Sequence, residues 1–460
     1  MTDRGVAGGG LGAGGTSVTV TWTITVTTTG FIFVDAVNGN ASVANGGTGT
    51  GTLANPFRTI NDWYAGSIGG AGTATKYDTT HSGSFVYYRT GTYMLNTYQE
   101  SVVAGATRTV INTNKPVVHL AYPGESVVWD FEGVAKSIGA YPAAHNLYID
   151  GFEIKNMAWF GLRIDSDANH VTVRRNTFHE LGLTYTGHGD TASNNQAFID
   201  MGDGGVQGSY YSYSDNVGYN LDHGSAIKLY RVNKILIESN TFRDFLTSGG
   251  GLEGIAIKFA ISNVTVRGNT LYNGTSFSGS WIGGNQNNSN NIEIAYNNVY
   301  DDDAPGISTN QDTSATDVWI YRNTVQGSAL VLNSTTATGP FTWTHNVIIN
   351  NSGAAENITC GGGAVGCTDP SRVIRTDNLF GVAADNITDT NGNLTAAYAS
   401  YIGTRGHQLA SGGSTPPPPP SDTTAPSTPT NLSATTISTT QINLSWTAST
   451  DAVGVTGYRI

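Results

Sequence analysis

Short segments of alternating apolar and polar residues recur along the middle of this chain. His170–Arg174, Asn263–Arg267 and Asp317–Tyr321 each carry apolar residues at every second position. Strict alternation predicts a half-buried β-strand with its apolar side chains on one face. The residues expected to point inward are Val171, Val173, Ile235, Ile237, Val264, Val266, Ile292, Ile294, Val318 and Ile320. The residues expected to point outward are Thr172, Arg174, Glu238, Arg267, Glu293 and Trp319.

An asparagine recurs after these strands in one local setting. It stands at Asn176, Asn240, Asn269, Asn298, Asn323, Asn346 and Asn378. Gaps of 23 to 64 residues suit the coils of a solenoid whose loops differ in length. Because a buried amide must be hydrogen-bonded, each asparagine is expected to bond to the coils on either side as an asparagine ladder. With a second short strand before each alternating segment, such as Gly161–Ile164, the pattern predicts an all-β solenoid, a parallel β-helix with two strands per coil.

Motifs near the start of the solenoid carry a family resemblance. The segments Phe31–Asn40, Ala54–Ile60, Tyr87–Tyr93 and Tyr122–Glu125 resemble the opening of the right-handed parallel β-helix proteins of the pectate-lyase-like superfamily. The resemblance covers about residues 31–405 and implies the fold. That superfamily contains lyases, hydrolases, epimerases and binding proteins, so the fold leaves the chemistry open.

Composition divides the chain into four parts. Residues 1–30 are rich in Gly and Thr, residues 31–410 form the predicted β-helix, and residues 411–424 are a Pro-rich linker. Residues 425–460 resemble the first strands of a fibronectin type III module. Because such a sandwich needs about 100 residues, this part is predicted to be a partial β-sandwich.

Composition and charge also restrict the function. The chain has 59 glycines and 12% charged residues, which suits a secreted β-solenoid that is expected to be monomeric. The net charge of −12 argues against nucleic-acid binding, and no apolar run reaches the length of about 20 residues that spans a membrane. Cys360 and Cys367 are predicted either to close as a disulfide in an oxidising compartment or to remain two free thiols.

Polar residues on neighbouring coils can form an active site on the outer face of a solenoid, because strands stand about 4.8 Å apart. Lys228, Tyr230 and Lys258 are candidate catalytic residues, with Lys228 aligned beside Lys258 after a one-residue slip. The candidate substrate-binding residues are Arg163, Asp165, Arg231, His188, His223 and Trp281. Because the lysine and arginine side chains would attract negative charge, the predicted substrate is an anionic polysaccharide.

These residue types suit β-elimination on a uronate. The reaction needs a charge partner for the C5 carboxylate, a base for the C5 proton and an acid for the leaving oxygen. Lys228 or Lys258 is the candidate base, and Tyr230 is the candidate acid. The other reading is that outward lysines merely solvate the face.

Carboxylates lie in and after a predicted insertion at Thr186–Gly205. Asp200, Asp203 and Asp222, with Glu253 from the following coil, are oxygen ligands of the kind that Ca²⁺ prefers. Plain turn chemistry is the alternative for such Gly-rich acidic segments. A bound calcium ion would neutralise the substrate carboxylate.

The spacing of Glu253 and Lys258 is similar to the Glu-x4-Lys of the chondroitinase B and alginate lyase family. That resemblance implies a calcium-binding glutamate and a lysine base. The family's second glutamate is replaced here by Gly251, and its catalytic arginine has no counterpart on the next coil. Arg267 is the candidate replacement if the second sheet borders the site.

Two other functions remain open. Gly187–Gly189 and Ala226–Lys228 resemble motifs of polygalacturonases, which implies a glycoside hydrolase. Asp200, Asp203 or Asp222 would then supply carboxylates about 6.5–9.5 Å apart for inverting hydrolysis. The third possibility is a non-catalytic glycan-binding or adhesive solenoid.

Overall fold

The architecture comes from a computed structural model that describes only part of the chain. The described residues are 31–43, 46–58, 85–94, 109–110, 117–131, 138–140, 147–157, 160–164, 169–182, 197–201, 208–222, 224–246, 254–258, 261–274, 282–285, 290–300, 306–310, 316–326, 330–333, 341–349, 358–360, 373–381, 405–407, 427–438, 441–447 and 449. Thirty-three strands in these ranges form three long parallel sheets, and two more form a separate hairpin. In the described part of the chain, no helix is long and apolar enough to cross a membrane.

Each sheet takes one strand from each successive coil. The twelve-stranded sheet contains β1 (Phe31–Val34), β2 (Phe85–Tyr88), β5 (Val117–Ala121), β8 (Leu147–Asp150), β11 (Asn169–Arg174), β14 (Ser209–Ser214), β17 (Asn233–Glu238), β20 (Ser262–Arg267), β23 (Asn290–Ala295), β26 (Thr316–Tyr321), β29 (Phe341–Thr344) and β32 (Val373–Thr376). The ten-stranded sheet contains β4 (Thr109–Val110), β7 (Ile138–Ala140), β10 (Phe160–Ile164), β13 (Ala197–Met201), β16 (Ser225–Tyr230), β19 (Ile255–Lys258), β22 (Ile282–Asn285), β25 (Ile307–Asn310), β28 (Leu330–Asn333) and β31 (Ile358–Cys360). The eleven-stranded sheet contains β3 (Gly91–Met94), β6 (Val127–Asp130), β9 (Glu153–Met157), β12 (Thr177–Leu181), β15 (Val217–Leu221), β18 (Thr241–Phe245), β21 (Thr270–Gly274), β24 (Asn298–Tyr300), β27 (Thr324–Gln326), β30 (Val347–Ile349) and β33 (Leu379–Gly381).

Three strands per coil, and not the predicted two, build the solenoid. The third strand begins directly after the ladder asparagine, as β12 does after Asn176. It escapes sequence analysis because it is short and lacks clean alternation. In β12 the buried residues Phe178, His179 and Leu181 include two neighbours along the chain.

The core forms as the alternation predicts. All ten residues expected to point inward are at most 2% exposed. The six residues expected to point outward are all partly exposed. Apolar side chains of successive coils therefore stack into one continuous core that runs through the described coils.

The predicted asparagine ladder is present, with two changes. The buried ladder residues are Asn176, Asn216, Asn240, Asn269, Asn297, Asn323 and Asn346, and the partly exposed Asn378 continues it. The prediction missed Asn216, and Asn298 was wrong because its neighbour Asn297 occupies the ladder position. Each ladder side chain accepts from the preceding ladder asparagine, as Asn269 Oδ1 does from Asn240 Nδ2 at 2.9 Å.

The residue before each ladder asparagine turns the chain sharply at this corner. These residues have φ between 53° and 63°: Arg175, Asp215, Ser239, Gly268, Tyr296, Arg322, His345 and Asp377. This left-handed region is unfavourable for residues other than glycine. The hydrogen bonds of the ladder offset that cost at every coil.

An ion pair network surrounds the buried Asp150, the last residue of β8 in the twelve-stranded sheet. Asp150 is 2% exposed and accepts hydrogen bonds from Arg175 Nε at 2.7 Å and from Arg174 Nε at 3.0 Å. Burial opposes ionisation of Asp150, but the hydrogen bonds from Arg175 and Arg174 outweigh it and hold the pKa of the carboxyl below its ordinary value. The stability that this carboxylate contributes is therefore present above the ordinary carboxyl pKa and is lost as the pH falls through its folded value.

Replacing Asp150 with asparagine is expected to lower the free energy of unfolding by about 1.5 to 3 kcal/mol at neutral pH, because the hydrogen bonds from two partly exposed guanidinium groups lose their charged acceptor. Denaturant titration measures the loss, and the difference from the parent protein should shrink in acid. The matched control is Asp215→Asn, since Asp215 is exposed two coils further along the solenoid. Equal loss from both substitutions would contradict the assignment.

The C-terminal strands form a unit of their own. Strands β34 (Thr430–Ser438) and β35 (Gln441–Thr447) pair antiparallel. They belong to a different compact unit from residues Thr23–Ala410. The fibronectin type III resemblance remains a prediction. Cys360 ends β31, whereas Cys367 lies outside the described residues, so the disulfide also stays a prediction.

Candidate functional site

Lys228 lies on the outer face of the ten-stranded sheet and is nevertheless almost completely buried. Its neighbours Ile227 and Leu229 are 0% exposed and belong to the core. Alternation along β16 turns Lys228 to the opposite side, where 5% of the residue is exposed. Removal from water disfavours the charged form of an amine. A neutral amine is the form that acts as a general base.

Tyr230 stands between two lysines on this face. The Nζ atom of Lys228 lies 5.0 Å from the centroid of the Tyr230 ring. Lys258 is the register partner of Tyr230 on the neighbouring strand β19. The structure thus brings all three predicted catalytic residues of the ten-stranded sheet together.

The register differs from the predicted alignment of Lys228 beside Lys258. Lys228 pairs with Ala256, and Lys258 stands two residues further along the strand, beside Tyr230. The predicted one-residue slip is therefore wrong. Its consequence is chemical, because the tyrosine and not the second lysine has Lys258 as its direct neighbour.

A complete coil strand lies where the sequence indicated an insertion loop. Strand β13 pairs Asp200 with Arg163 on one side and with Lys228 on the other. Arg163, Asp200 and Lys228 therefore occupy one column of successive coils. The insertion prediction is wrong for residues 197–201, and it hid a carboxylate that is next to the candidate base in register.

Several predicted site residues cannot be placed around this face. Asp165, His188, His223, Trp281, Asp203 and Glu253 lie outside the described residues. Arg231 lies at an exposed corner after β16. Asp222 directly follows β15, away from Arg231. Within the described ranges, no three His, Cys, Asp or Glu residues gather as a metal-binding group.

Arg267 lies on the other sheet. It ends β20 of the twelve-stranded sheet, next to ladder residue Asn269. Its guanidinium donates to Glu238 at 2.8 Å. The structure therefore does not bring Arg267 into the group formed by Lys228, Tyr230 and Lys258.

A second polar cluster on the eleven-stranded sheet was missed by the sequence analysis. His179 Nε2 lies 3.2 Å from Glu153 Oε1, and the His179 ring stacks on Tyr219 with centroids 4.8 Å apart. The Arg243 guanidinium covers Tyr219 at 4.5 Å. Burial raises the pKa of Tyr219, and the charge of Glu153 adds to that effect. His179 was overlooked because it lies in β12, a third strand of the coil whose residues do not alternate.

A family model matches part of the chain and agrees with the fold. Residues 202–369 match the family model described as the right handed beta helix region. A rhamnogalacturonan lyase structure is 13% identical, with 82% of this chain and 99% of that chain covered and a TM-score of 0.46. A lacto-N-biosidase from Eubacterium ramulus is 10% identical, with 77% and 68% covered and a TM-score of 0.44.

A further solved structure and a curated protein are also similar to this chain. A pectate lyase structure is 12% identical, with 81% of this chain and 83% of that chain covered and a TM-score of 0.31. Chitinase A1 of Niallia circulans is 64% identical over 39 residues, which are 8% of this chain and 6% of the chitinase. The chain thus matches a small fraction of the length of that curated relative.

The sheets, the ladder and the family-model match define the class of this protein. It is a right-handed parallel β-helix. The fold implied by the resemblance to the pectate-lyase-like superfamily is thereby confirmed.

Proposed function

We propose that the protein is a secreted polysaccharide-degrading enzyme, specifically a lyase that cleaves a uronate-containing glycan by β-elimination. The observation that carries this proposal is Lys228, a lysine 5% exposed on an outward strand position. Lysine is among the residue types that are least often buried. Tyr230 and Lys258 beside it supply the other two groups that the reaction needs.

The proposed reaction divides three tasks among three side chains. Lys228 takes the C5 proton as its neutral amine. The C5–H electrons form the C4–C5 double bond while the C4–O bond breaks. Tyr230 donates its hydroxyl proton to the leaving oxygen, and the ammonium group of Lys258 pairs with the substrate carboxylate. The products are an unsaturated uronate and a new free hydroxyl group.

Calcium is a proposed addition to this site. Asp200, Asp203, Asp222 and Glu253 offer the carboxylate oxygens that Ca²⁺ prefers, and the pairing of Asp200 with Lys228 supports the choice of one of them. A bound ion would neutralise the substrate carboxylate. Loss of cleavage in EDTA, restored by added calcium, would support this part of the proposal.

A hydrolase is the second candidate, and the position of Asp200 favours it. Asp200 is the register partner of Lys228 on the neighbouring strand β13. With Asp203 or Asp222 as partner, it would provide the acid and base of an inverting hydrolysis. The hydrolase would release reducing ends without a double bond.

The test is incubation with pectate, alginate, chondroitin, hyaluronan, ulvan and neutral glucans. Ultraviolet absorbance of unsaturated uronates is followed together with reducing ends. A rise in both supports the lyase and names its substrate. Reducing ends alone favour the hydrolase, and binding without cleavage favours an adhesive solenoid.

Tyr230→Phe is expected to lower the rate of cleavage by about 10²-fold, because the ring stays but the proton donor is lost. Initial rates on the preferred polymer measure the effect. Tyr272→Phe is the matched control, since Tyr272 is partly exposed on the eleven-stranded sheet. An unchanged rate in Tyr230→Phe would remove the tyrosine from the mechanism.

A further inference from the structure

A row of polar side chains follows the corner between the ten-stranded and twelve-stranded sheets. One residue per coil contributes to this corner row, and all have φ between 53° and 69°: His170, Tyr210, Lys234, Asn263, Asn291 and Asp317. Five of the six are exposed, with Asp317 partly so. The row therefore presents side chains to solvent in a line along the solenoid axis.

The left-handed backbone at this corner is costly for residues other than glycine. Four of the six, His170, Asn263, Asn291 and Asp317, are types that tolerate this conformation better than most residues, whereas Tyr210 and Lys234 are not. Tyr210 is 50% exposed, so core packing does not explain an aromatic residue there. Such a position is a reason to look for a ligand.

Tyr210 and Lys234 form a fixed pair of donors. Lys234 Nζ donates to Tyr210 Oη at 2.9 Å and lies 4.5 Å from the ring centroid. The His170 ring stacks on Tyr210 with centroids 4.7 Å apart and planes within 5°. The tyrosine is thus held between His170 and Lys234, and its ring edge and hydroxyl face outward.

The chemistry of this pair suits a carboxylate. Because Lys234 donates to the Tyr210 oxygen, the hydroxyl proton of Tyr210 is available to an outside acceptor. The ammonium group of Lys234 has further protons to donate. Two donors 2.9 Å apart, one of them charged, match the two oxygens of a single carboxylate.

A groove lies beside these donors. Its volume is about 370 Å³, a size that accepts small ligands. It is lined by Tyr210, Lys234 and Asn263 of the corner row and by Ser212 and Leu236, which follow on strands β14 and β17. Asn263 is held in place through its Nδ2, which donates to Asn233 Oδ1 at 2.6 Å. A groove whose donors are already oriented loses less entropy on binding.

The corner row follows the proposed catalytic face along the chain. Tyr230 ends β16, exposed Arg231 turns the corner, and Lys234 follows on the next strand. Successive coils stand about 4.8 Å apart, close to the length of one sugar residue in an extended polysaccharide. A chain bound at Tyr230 and extending along the axis would meet one corner-row residue per sugar.

We propose that the corner row is an extended subsite for the uronate residues that flank the cleaved bond. Lys234 and Tyr210 bind the carboxylate of one uronate, and the amides of Asn263 and Asn291 bind sugar hydroxyls. This inference rests on the proposed function, because it takes its ligand to be the anionic polysaccharide that the lyase cleaves.

The test measures dissociation constants by calorimetry in the Lys228→Met background, which prevents turnover. The probes are oligogalacturonates and oligomers of alginate, each as trimer and octamer. Lys234→Ala and Tyr210→Phe are expected to weaken binding of the better octamer about tenfold. Binding of the trimer should be unchanged, because a trimer occupies the catalytic face alone.

The controls share the coils of the test residues. Ser239→Ala changes an exposed residue with φ of 57° at the opposite corner of the Lys234 coil. Tyr219→Phe removes a hydroxyl group from the eleven-stranded sheet on the Tyr210 coil. Both should bind the octamer as the parent does.

The outcomes separate the two proposals. Octamer binding that is unchanged in Lys234→Ala, while the wild-type protein releases unsaturated products, overturns the subsite alone. Weakened octamer binding in a protein that cleaves no glycan supports the subsite and rejects the lyase. A parent protein that binds neither octamer overturns the subsite as well.

Discussion

Replacing Lys228 with methionine is expected to reduce glycan cleavage by at least about 10³-fold, because a general base contributes about 10²- to 10⁴-fold. Methionine keeps an unbranched side chain in a position that is 5% exposed, so packing is largely retained. The loss should appear in kcat, since the base acts on the bound substrate. Initial rates of absorbance increase on the preferred polymer measure it.

The control for this substitution is Lys155→Met. Lys155 lies on the outer face of the eleven-stranded sheet, near Asp130 and Glu153. Its replacement should leave the cleavage rate unchanged. Cleavage by Lys228→Met at the parental rate, in a protein with the parental unfolding midpoint, would exclude Lys228 as the base.

Replacing the ladder residue Asn269 with leucine is expected to lower the free energy of unfolding by about 3 to 9 kcal/mol. Its Oδ1 accepts from the backbone N of Asn240 at 3.0 Å and from Asn240 Nδ2 at 2.9 Å, and its Nδ2 donates to Ile237 O at 3.0 Å. Leucine leaves these three buried groups without their partner, at about 1 to 3 kcal/mol each. Guanidinium titration followed by circular dichroism measures the loss.

Asn263→Ala provides the comparison, since Asn263 lies near the start of β20 and Asn269 follows the end of that strand. Asn263 is exposed at the other end of that strand, whereas Asn269 is 0% exposed. The exposed substitution should cost less than about 1 kcal/mol. If the two variants unfolded at the same denaturant concentration, the ladder would not be a principal source of stability.

The inward positions and most of the ladder could be predicted because each depends on local sequence alone. Asn216 was missed because Gly218 follows where the repeat has an apolar residue. A Cβ atom on Gly218 would lie 2.7 Å from the Phe198 ring and 2.8 Å from Phe242. Phe198, on the equally unexpected strand β13, therefore fills the space of the missing side chain. The two segments fit each other within one coil, and neither of them shows the repeat.

The residue types of the candidate site could be predicted from the sequence, but the register between its strands could not. Lys228, Tyr230 and Lys258 stand out as polar residues on apolar strands. Their pairing depends on the lengths of the loops between coils, which carry no periodic signal. The structure places Ala256 beside Lys228 and Lys258 beside Tyr230. The donor pair of Tyr210 and Lys234 was hidden for the same reason, since its residues belong to different coils.

The central claim is that the outer face around Lys228 cleaves by elimination. Mass spectrometry of the products formed from the preferred polymer in ¹⁸O-labelled water tests it most directly. Elimination predicts fragments lighter by one water than hydrolysis products, with an unsaturated sugar at the new non-reducing end. Saturated fragments, with one labelled oxygen at the new reducing end for each bond cleaved, would contradict the lyase and leave hydrolysis by Asp200 and its partners.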